Sequence, residues 1–143
     1  MKIVHKFVAV LLASTFMAGL AIAGEKEVPQ FIEGTVRVSA EEVIDLVEKF
    51  DNLVIIDARK KSDVAKGFIE GAVNIPNTET TADTLAQHIP SKSTPIVFYC
   101  NGIKCGRSVK SAKVAIADGY TNIYWFRGGI QEWEAKGLPV VHP

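Results

Sequence analysis

The residues best suited to chemistry in this sequence are two cysteines, Cys100 and Cys105, in the stretch from Cys100 to Ser108. An apolar run at 96–99 predicts a buried strand that ends at Cys100, and Arg107 and Ser108 open an amphipathic helix. A thiol between a strand end and a helix N-terminus lies near free backbone N–H groups, and the helix dipole there favours an anion. Lys104 and Arg107 add positive charge. Cys100 is therefore predicted to be a nucleophile.

The second thiol has several interpretations. Cys105 could form a structural disulfide with Cys100, although closing so short a loop stabilises a fold only modestly. It could also resolve an oxidised or sulfur-loaded Cys100, or take no part in the chemistry. A metal site is not predicted, because His88 and His142 are too far from the cysteines to match zinc-ligand spacing.

Alternating strands and helices must position these residues. Continuous apolar runs predict strands, and a Ser39–Glu42 capping box opens the first helix, with Val43, Ile44, Leu46 and Val47 as its apolar stripe. The predicted strands are 35–38, 53–56, 72–75, 96–99 and 122–126, and the predicted helices are 39–50, 60–66, 81–89, 108–117 and 130–136. This alternation predicts an α/β sandwich around a mostly parallel central sheet flanked by helices.

Asp57 and Arg59 follow the predicted strand 53–56. Ligands of open α/β sheets lie beyond the carboxyl ends of the strands, so these two residues are expected at the same rim as Cys100. We interpret them as a structural ion pair that holds loops together and gives the site electrostatic support.

The N-terminus has the pattern of a secretory signal peptide at 1–23: a basic start, an apolar run and a small-residue cleavage site before Gly24. A flexible lead-in is expected at 24–34 and one domain at 35–143.

Without Lys2 and Lys6 of the signal peptide, the chain has fourteen basic and sixteen acidic residues, which gives a net charge of about −2. The scattered basic residues favour neither nucleic acid nor, after signal removal, a membrane. The protein is expected to be exported, and periplasmic if its source is Gram-negative.

Four motifs in order resemble the single-domain rhodanese family, over about residues 35–141. The resemblance implies a rhodanese-like three-layer sandwich. The matching segments are Val54-Ile-Ile-Asp57-Ala-Arg59, Gly67-Phe-Ile-Glu-Gly71-Ala-Val-Asn74-Ile-Pro76, the loop from Tyr99-Cys100 to Arg107-Ser108, and Phe126-Arg-Gly-Gly129-Ile with Trp133 and Gly137-Leu-Pro139.

Two departures from the family pattern stand out. Phe68 occupies a position where many members have His, and six residues rather than four separate Cys100 from Arg107-Ser108. The longer loop is expected to make a wider cradle for substrate. The residues that the resemblance implies for substrate binding are Asn101, Gly102, Ile103, Lys104, Cys105, Gly106 and Arg107.

The resemblance implies a sulfurtransferase that moves sulfane sulfur from a donor such as thiosulfate to an acceptor, through a persulfide on Cys100. Its expected partners are a small anionic sulfur donor and a thiol or cyanide-like acceptor, with no metal or organic cofactor. The leading alternative is a thiol–disulfide protein that uses Cys100 and Cys105 and needs a thiol reductant. A phosphatase-like activity is a third alternative, because the rhodanese fold is similar to that of cell-cycle dual-specificity phosphatases. The last alternative is a catalytically silent binding module.

Overall fold

Five parallel strands form the central sheet. The computed structural model describes residues 27–143, so the predicted signal peptide and the first part of the lead-in lie outside it. The strand order across the sheet is β1-β5-β4-β2-β3, and every pairing is parallel. The strands are β1 Val36–Val38, β2 Val54–Asp57, β3 Val73–Asn74, β4 Ile96–Tyr99 and β5 Ile123–Phe126. The predicted parallel α/β sheet is confirmed.

Within residues 27–143, five helices connect or follow the strands. The predicted capping box opens the first one, because the Ser39 hydroxyl accepts the Glu42 N–H at 3.3 Å and the Glu42 carboxylate accepts the Ser39 N–H at 2.7 Å. The helices are α1 Ala40–Lys49, α2 Lys61–Val64, α3 Ala82–His88, α4 Arg107–Ala117 and α5 Gly129–Ala135.

The core has one apolar layer on each face of the sheet. Side chains of neighbouring strand residues point to opposite faces, so β4 sends Phe98 to one layer and Val97 and Tyr99 to the other. Leu85 of α3 and Ala112 of α4 belong to the first layer. Helices α1 and α5 cover the second layer. Two helical layers around one sheet make the expected three-layer sandwich.

The structure differs from the sequence expectation in detail. Strand β3 is two residues long rather than four. Val47 is 52% exposed, because the predicted apolar stripe of α1 is too wide for all of it to face the sheet. Ile32, from the segment expected to be a flexible lead-in, is buried in the core. Arg127 donates from Nε to the Pro29 carbonyl oxygen at 3.0 Å and so ties this segment to the domain.

The topology creates a crevice beside β4. Strands β2 and β4 are neighbours in the sheet. After β2 the chain continues to β3 on one side of this pair, and after β4 it continues to β5 on the other side. The loops after β2 and β4 therefore diverge at the carboxyl edge of the sheet. Ligand sites of open α/β folds lie at such a point. The loop that contains both cysteines follows β4. No helix within residues 27–143 is long and apolar enough to cross a membrane.

Candidate active site

Cys100 lies directly after β4 and is 2% exposed. The first turn of α5 fixes its backbone, because the Ile130 N–H donates to the Cys100 carbonyl oxygen at 3.0 Å and the Gln131 N–H donates to that of Asn101 at 2.9 Å. Gly129 precedes these donors with a φ of 58°, in the left-handed region that favours glycine. The position of the predicted nucleophile is therefore set by the contact between β4 and α5.

A disulfide joins Cys100 to Cys105, with 6.4 Å between their Cα atoms. A turn brings the second cysteine back, since the Cys105 N–H donates to the Gly102 carbonyl oxygen at 2.9 Å. This arrangement is the oxidised form of the site. Because the thiolate is the nucleophilic species, Cys100 can serve as the predicted nucleophile only after the disulfide is reduced.

The loop borders a cleft of about 380 Å³. In the oxidised form Cys105, not Cys100, faces this cleft. Lys104 and Arg107 give the lining positive charge, which suits an anionic ligand. The lining residues are Asn101, Gly102, Lys104, Cys105, Gly106, Arg107 and Gln131.

Ile103 lies apart from the other predicted substrate-binding residues. Its side chain is 53% exposed at the outside of the loop. It borders a separate groove together with Phe31 and Arg37. The structure therefore brings the rest of the predicted loop residues to the cleft and leaves Ile103 on the opposite side of the loop.

Gln131 is a cleft residue that the sequence analysis missed. Its side chain packs over Gly102, where an added Cβ would lie 2.1 Å from the Gln131 Oε1 atom. No motif in the sequence connects Gln131 with the cysteine loop, because the contact depends on how α5 docks against the end of β4.

Asp63 on α2 is a second residue that the sequence analysis missed. One carboxylate oxygen, Oδ2, lies 3.4 Å from the Arg107 guanidinium and 3.3 Å from the Asn101 side-chain amide. The backbone oxygen of Asp63 accepts a 3.4 Å hydrogen bond from Arg59. Asp63 thus contacts both ends of the loop and partly neutralises Arg107.

Asp57 and Arg59 form a buried ion pair, with 2.6 Å between Nη2 and Oδ2. Tyr99 donates its hydroxyl to the same Asp57 oxygen at 2.6 Å. Arg59 also donates to the Gly67 carbonyl oxygen at 2.8 Å, and the Asn74 amide donates to the carbonyl oxygens of Asp57 and Arg59. These bonds tie the segment after β2 to Gly67, which precedes β3, and to Asn74 at the end of β3.

The surroundings of this pair shift two pKa values. Burial alone would lower the pKa of Arg59, but the hydrogen bonds and charge of Asp57 raise it overall. Burial raises the pKa of Tyr99, and the Asp57 carboxylate raises it further. Arg59 therefore stays charged and Tyr99 stays neutral over the physiological pH range.

Two polar side chains lie below Cys100, inside the domain. The Ser108 hydroxyl oxygen is 3.4 Å from the Cys100 Sγ atom. The Trp125 indole N–H donates to that hydroxyl oxygen at 3.0 Å. Ser108 was expected at the start of α4, whereas Trp125 had no predicted role, because an aromatic residue in an apolar strand is typical of a core position.

Within residues 27–143, no group of three or more His, Cys, Asp or Glu side chains could hold a metal ion. Lys104 and Arg107 line the cleft beside Cys105, and Asp63 pairs with Arg107. The chemistry available from these residues is thiol chemistry, supported by hydrogen bonds and positive charge.

Comparison with protein families decides the relationship of the chain to known proteins. The model of the rhodanese-like domain matches residues 39–136, which is more than half of the chain. The chain belongs to the rhodanese-like family. The matched range runs from the N-cap of α1 to the end of α5 and contains the complete cysteine loop.

Curated relatives of this rhodanese-like domain include a named sulfurtransferase. A rhodanese domain-containing protein of Drosophila melanogaster, CG4456, is 30% identical over 101 residues, which cover 63% of this chain and 89% of the relative. A protein of Allochromatium vinosum named sulfurtransferase is 29% identical over 93 residues, which cover 65% of this chain and 82% of the relative. These similarities support a transferase of the sulfurtransferase type.

A solved structure supports the fold of the rhodanese-like domain. The crystal structure of the BH2092 protein from Bacillus halodurans superposes with a TM-score of 0.66 at 24% sequence identity. The superposition covers 76% of this chain and 77% of that protein. At this identity the similarity shows the fold alone.

Proposed function

We propose that this rhodanese-like domain transfers sulfane sulfur from a small anionic donor, such as thiosulfate, to a thiol or cyanide-like acceptor through a persulfide on Cys100. The observation that carries the proposal is the placement of Cys100 at the carboxyl end of β4, next to a cleft that Lys104 and Arg107 make positive. Positive charge attracts the anionic donor and lowers the cost of forming a thiolate.

The reaction consists of two displacements. The Cys100 thiolate attacks the outer sulfur of thiosulfate, the bond between the two thiosulfate sulfurs breaks, and sulfite leaves with the electron pair. The acceptor then attacks the outer sulfur of the persulfide, and Cys100 leaves as a thiolate. The disulfide with Cys105 must first be opened by two electrons from a thiol reductant.

Thiocyanate formation tests the proposal. Reduced protein, freed of reductant, is mixed with thiosulfate and cyanide, and thiocyanate is measured over time. We expect turnover by the wild type and by Cys105→Ser, and none by Cys100→Ser. Turnover by Cys100→Ser at the wild-type rate would refute the proposed nucleophile.

The disulfide favours a second candidate function, reductive release of sulfur. The Cys105 thiolate would attack the Cys100 Sγ atom of the persulfide, hydrosulfide would leave, and the disulfide would form. A dithiol reductant would then restore both thiols. The bonded position of the two sulfur atoms supports this step, because it is the product that the step would form.

Sulfide release separates the two candidates. Reduced protein loaded with one equivalent of thiosulfate, without acceptor or reductant, is assayed for hydrosulfide. The second candidate predicts one hydrosulfide per domain from the wild type and none from Cys105→Ser. If the wild type keeps its persulfide as stably as Cys105→Ser does, Cys105 has no resolving role.

We also propose that the protein is exported, on the basis of the signal-peptide pattern at 1–23. A pair of cysteines able to form a disulfide suits an oxidising compartment. N-terminal sequencing of the protein from its native host should begin at Gly24. A mature protein that starts at Met1 would contradict export by this route.

A further inference from the structure

Three buried groups form a line from the core to the nucleophile. Trp125, Ser108 and Cys100 are 0%, 1% and 2% exposed, so water does not compete for their polar atoms. The indole Nε1 atom is 3.0 Å from the Ser108 hydroxyl oxygen, which is 3.4 Å from the Cys100 Sγ atom. Ser108 lies in the first turn of α4, and Trp125 lies on β5, the strand beside β4.

The chemistry of the indole fixes the direction of the Ser108 proton. An indole N–H only donates, whereas a hydroxyl group donates one hydrogen bond and accepts others. Since Trp125 donates to the hydroxyl oxygen, the hydroxyl proton must point elsewhere. Within residues 27–143, this hydroxyl donates one hydrogen bond, to the Cys100 sulfur.

We propose that Trp125 is a positioning residue for sulfur transfer, because it orients the Ser108 hydroxyl as a hydrogen-bond donor to Cys100. This inference rests on the proposed role of Cys100 as the nucleophile. When reduced Cys100 loses its proton the acceptor is a thiolate, and a hydrogen bond to an anionic acceptor is stronger than one to a neutral sulfur. A donor that favours the charged form increases the thiolate fraction at a given pH.

Trp133 provides a matched comparison within the same domain. Its indole N–H donates to the Pro139 carbonyl oxygen at 2.8 Å, and its ring packs in the core layer on the other face of the sheet. Both tryptophans thus have a buried ring and a satisfied N–H, but only the bond of Trp125 leads to Cys100. A Trp→Phe substitution at each position separates orientation of the hydroxyl from loss of packing.

Alkylation of Cys100 by iodoacetamide tests the inference. All variants carry Cys105→Ser, so that one thiol reacts and no disulfide forms, and rates are measured across a pH series. We expect Ser108→Ala to slow alkylation about tenfold on the low-pH side and to move the midpoint of the profile upward. Trp125→Phe should slow it about threefold. Trp133→Phe should leave the profile unchanged.

The combination of substitutions decides whether Trp125 acts through Ser108. When Ser108→Ala is already present, Trp125→Phe should have no further effect on the rate. An unchanged rate in Trp125→Phe alone, the same slowing in Trp133→Phe, or full additivity with Ser108→Ala would each overturn the inference. Alkylation does not require sulfur transfer, so these results stand apart from success or failure of the proposed function.

A second form of the test avoids the cavity that Trp125→Phe creates. Benzothienylalanine has the shape of tryptophan with sulfur in place of the N–H group, and it can be incorporated in a Trp133→Phe background. This replacement keeps the packing of the core and removes the hydrogen bond to Ser108. Slower alkylation of Cys100 is the expected result, and an unchanged rate would again overturn the inference.

Discussion

The contact between Gly129 and Cys100 gives the sharpest prediction about the architecture of the site. A Cβ atom at position 129 would lie 2.2 Å from the Cys100 carbonyl oxygen and 2.9 Å from its carbonyl carbon. Both are backbone atoms and cannot move aside as a side chain could. Gly129→Ala must therefore displace α5 from the end of β4.

The expected cost of Gly129→Ala has two parts. An alanine at a φ of 58° costs about 1 kcal/mol in backbone strain. Displacement of α5 also weakens two hydrogen bonds, from the Ile130 and Gln131 N–H groups, at about 1 kcal/mol each. The free energy of unfolding should thus fall by about 3 kcal/mol. Cys100 should also react more slowly, because its backbone is no longer held.

Gly71→Ala is the matched control. Gly71 has a φ of 80°, but an added Cβ there would meet no atom within 4 Å, so this variant carries backbone strain without overlap. Urea unfolding of the oxidised proteins gives the two free energies, and alkylation in a Cys105→Ser background gives the reactivity of Cys100. If Gly129→Ala costs no more than Gly71→Ala and leaves alkylation unchanged, the proposed role of the α5 contact is wrong.

Further predictions concern the charged groups around the site. Asp57→Asn should lower the free energy of unfolding by about 3–5 kcal/mol, because it leaves a buried guanidinium without a counter-charge. Glu79 forms an exposed ion pair with Lys61, so the control Glu79→Gln should cost under about 1 kcal/mol in the same urea experiment. Stability should fall as pH rises above about 10, because the unfolded chain then loses the Tyr99 proton while the folded protein, in which the pKa of Tyr99 is raised, keeps it. Tyr99→Phe should make this loss of stability with pH less steep. An equal slope in both proteins would show that the Tyr99 proton is not its cause. Asp63→Asn should release Arg107 to the cleft and lower KM for thiosulfate about threefold with little change in kcat, whereas a higher KM would show that Asp63 mainly keeps the loop in shape.

The elements that the sequence predicted well are those with a strong local signal. The apolar run at 96–99 consists of β-branched and aromatic residues, which favour a strand, and the capping box at Ser39 marks the start of α1 within one residue. The ends of weak elements were less well predicted. Strand β3 pairs with β2 alone at the edge of the sheet, so its length depends on tertiary contacts rather than on its own residues.

The parts of the site that the sequence did not predict come from contacts between distant segments. Asp63 reaches Arg107 across 44 positions, and Trp125 reaches Ser108 across 17. Nothing near either residue in the sequence indicates its partner. Cys100, Lys104 and Arg107 could be predicted because they lie together in one loop.

Intact mass of the reduced protein after exposure to thiosulfate tests the central claim most directly. The measurement uses Cys105→Ser, in which a persulfide cannot be resolved internally, with Cys100→Ser as its control. A persulfide on Cys100 predicts a gain equal to the mass of one sulfur atom in Cys105→Ser, reversed by cyanide, and no gain in Cys100→Ser. No gain in Cys105→Ser, or the same gain in Cys100→Ser, would contradict it.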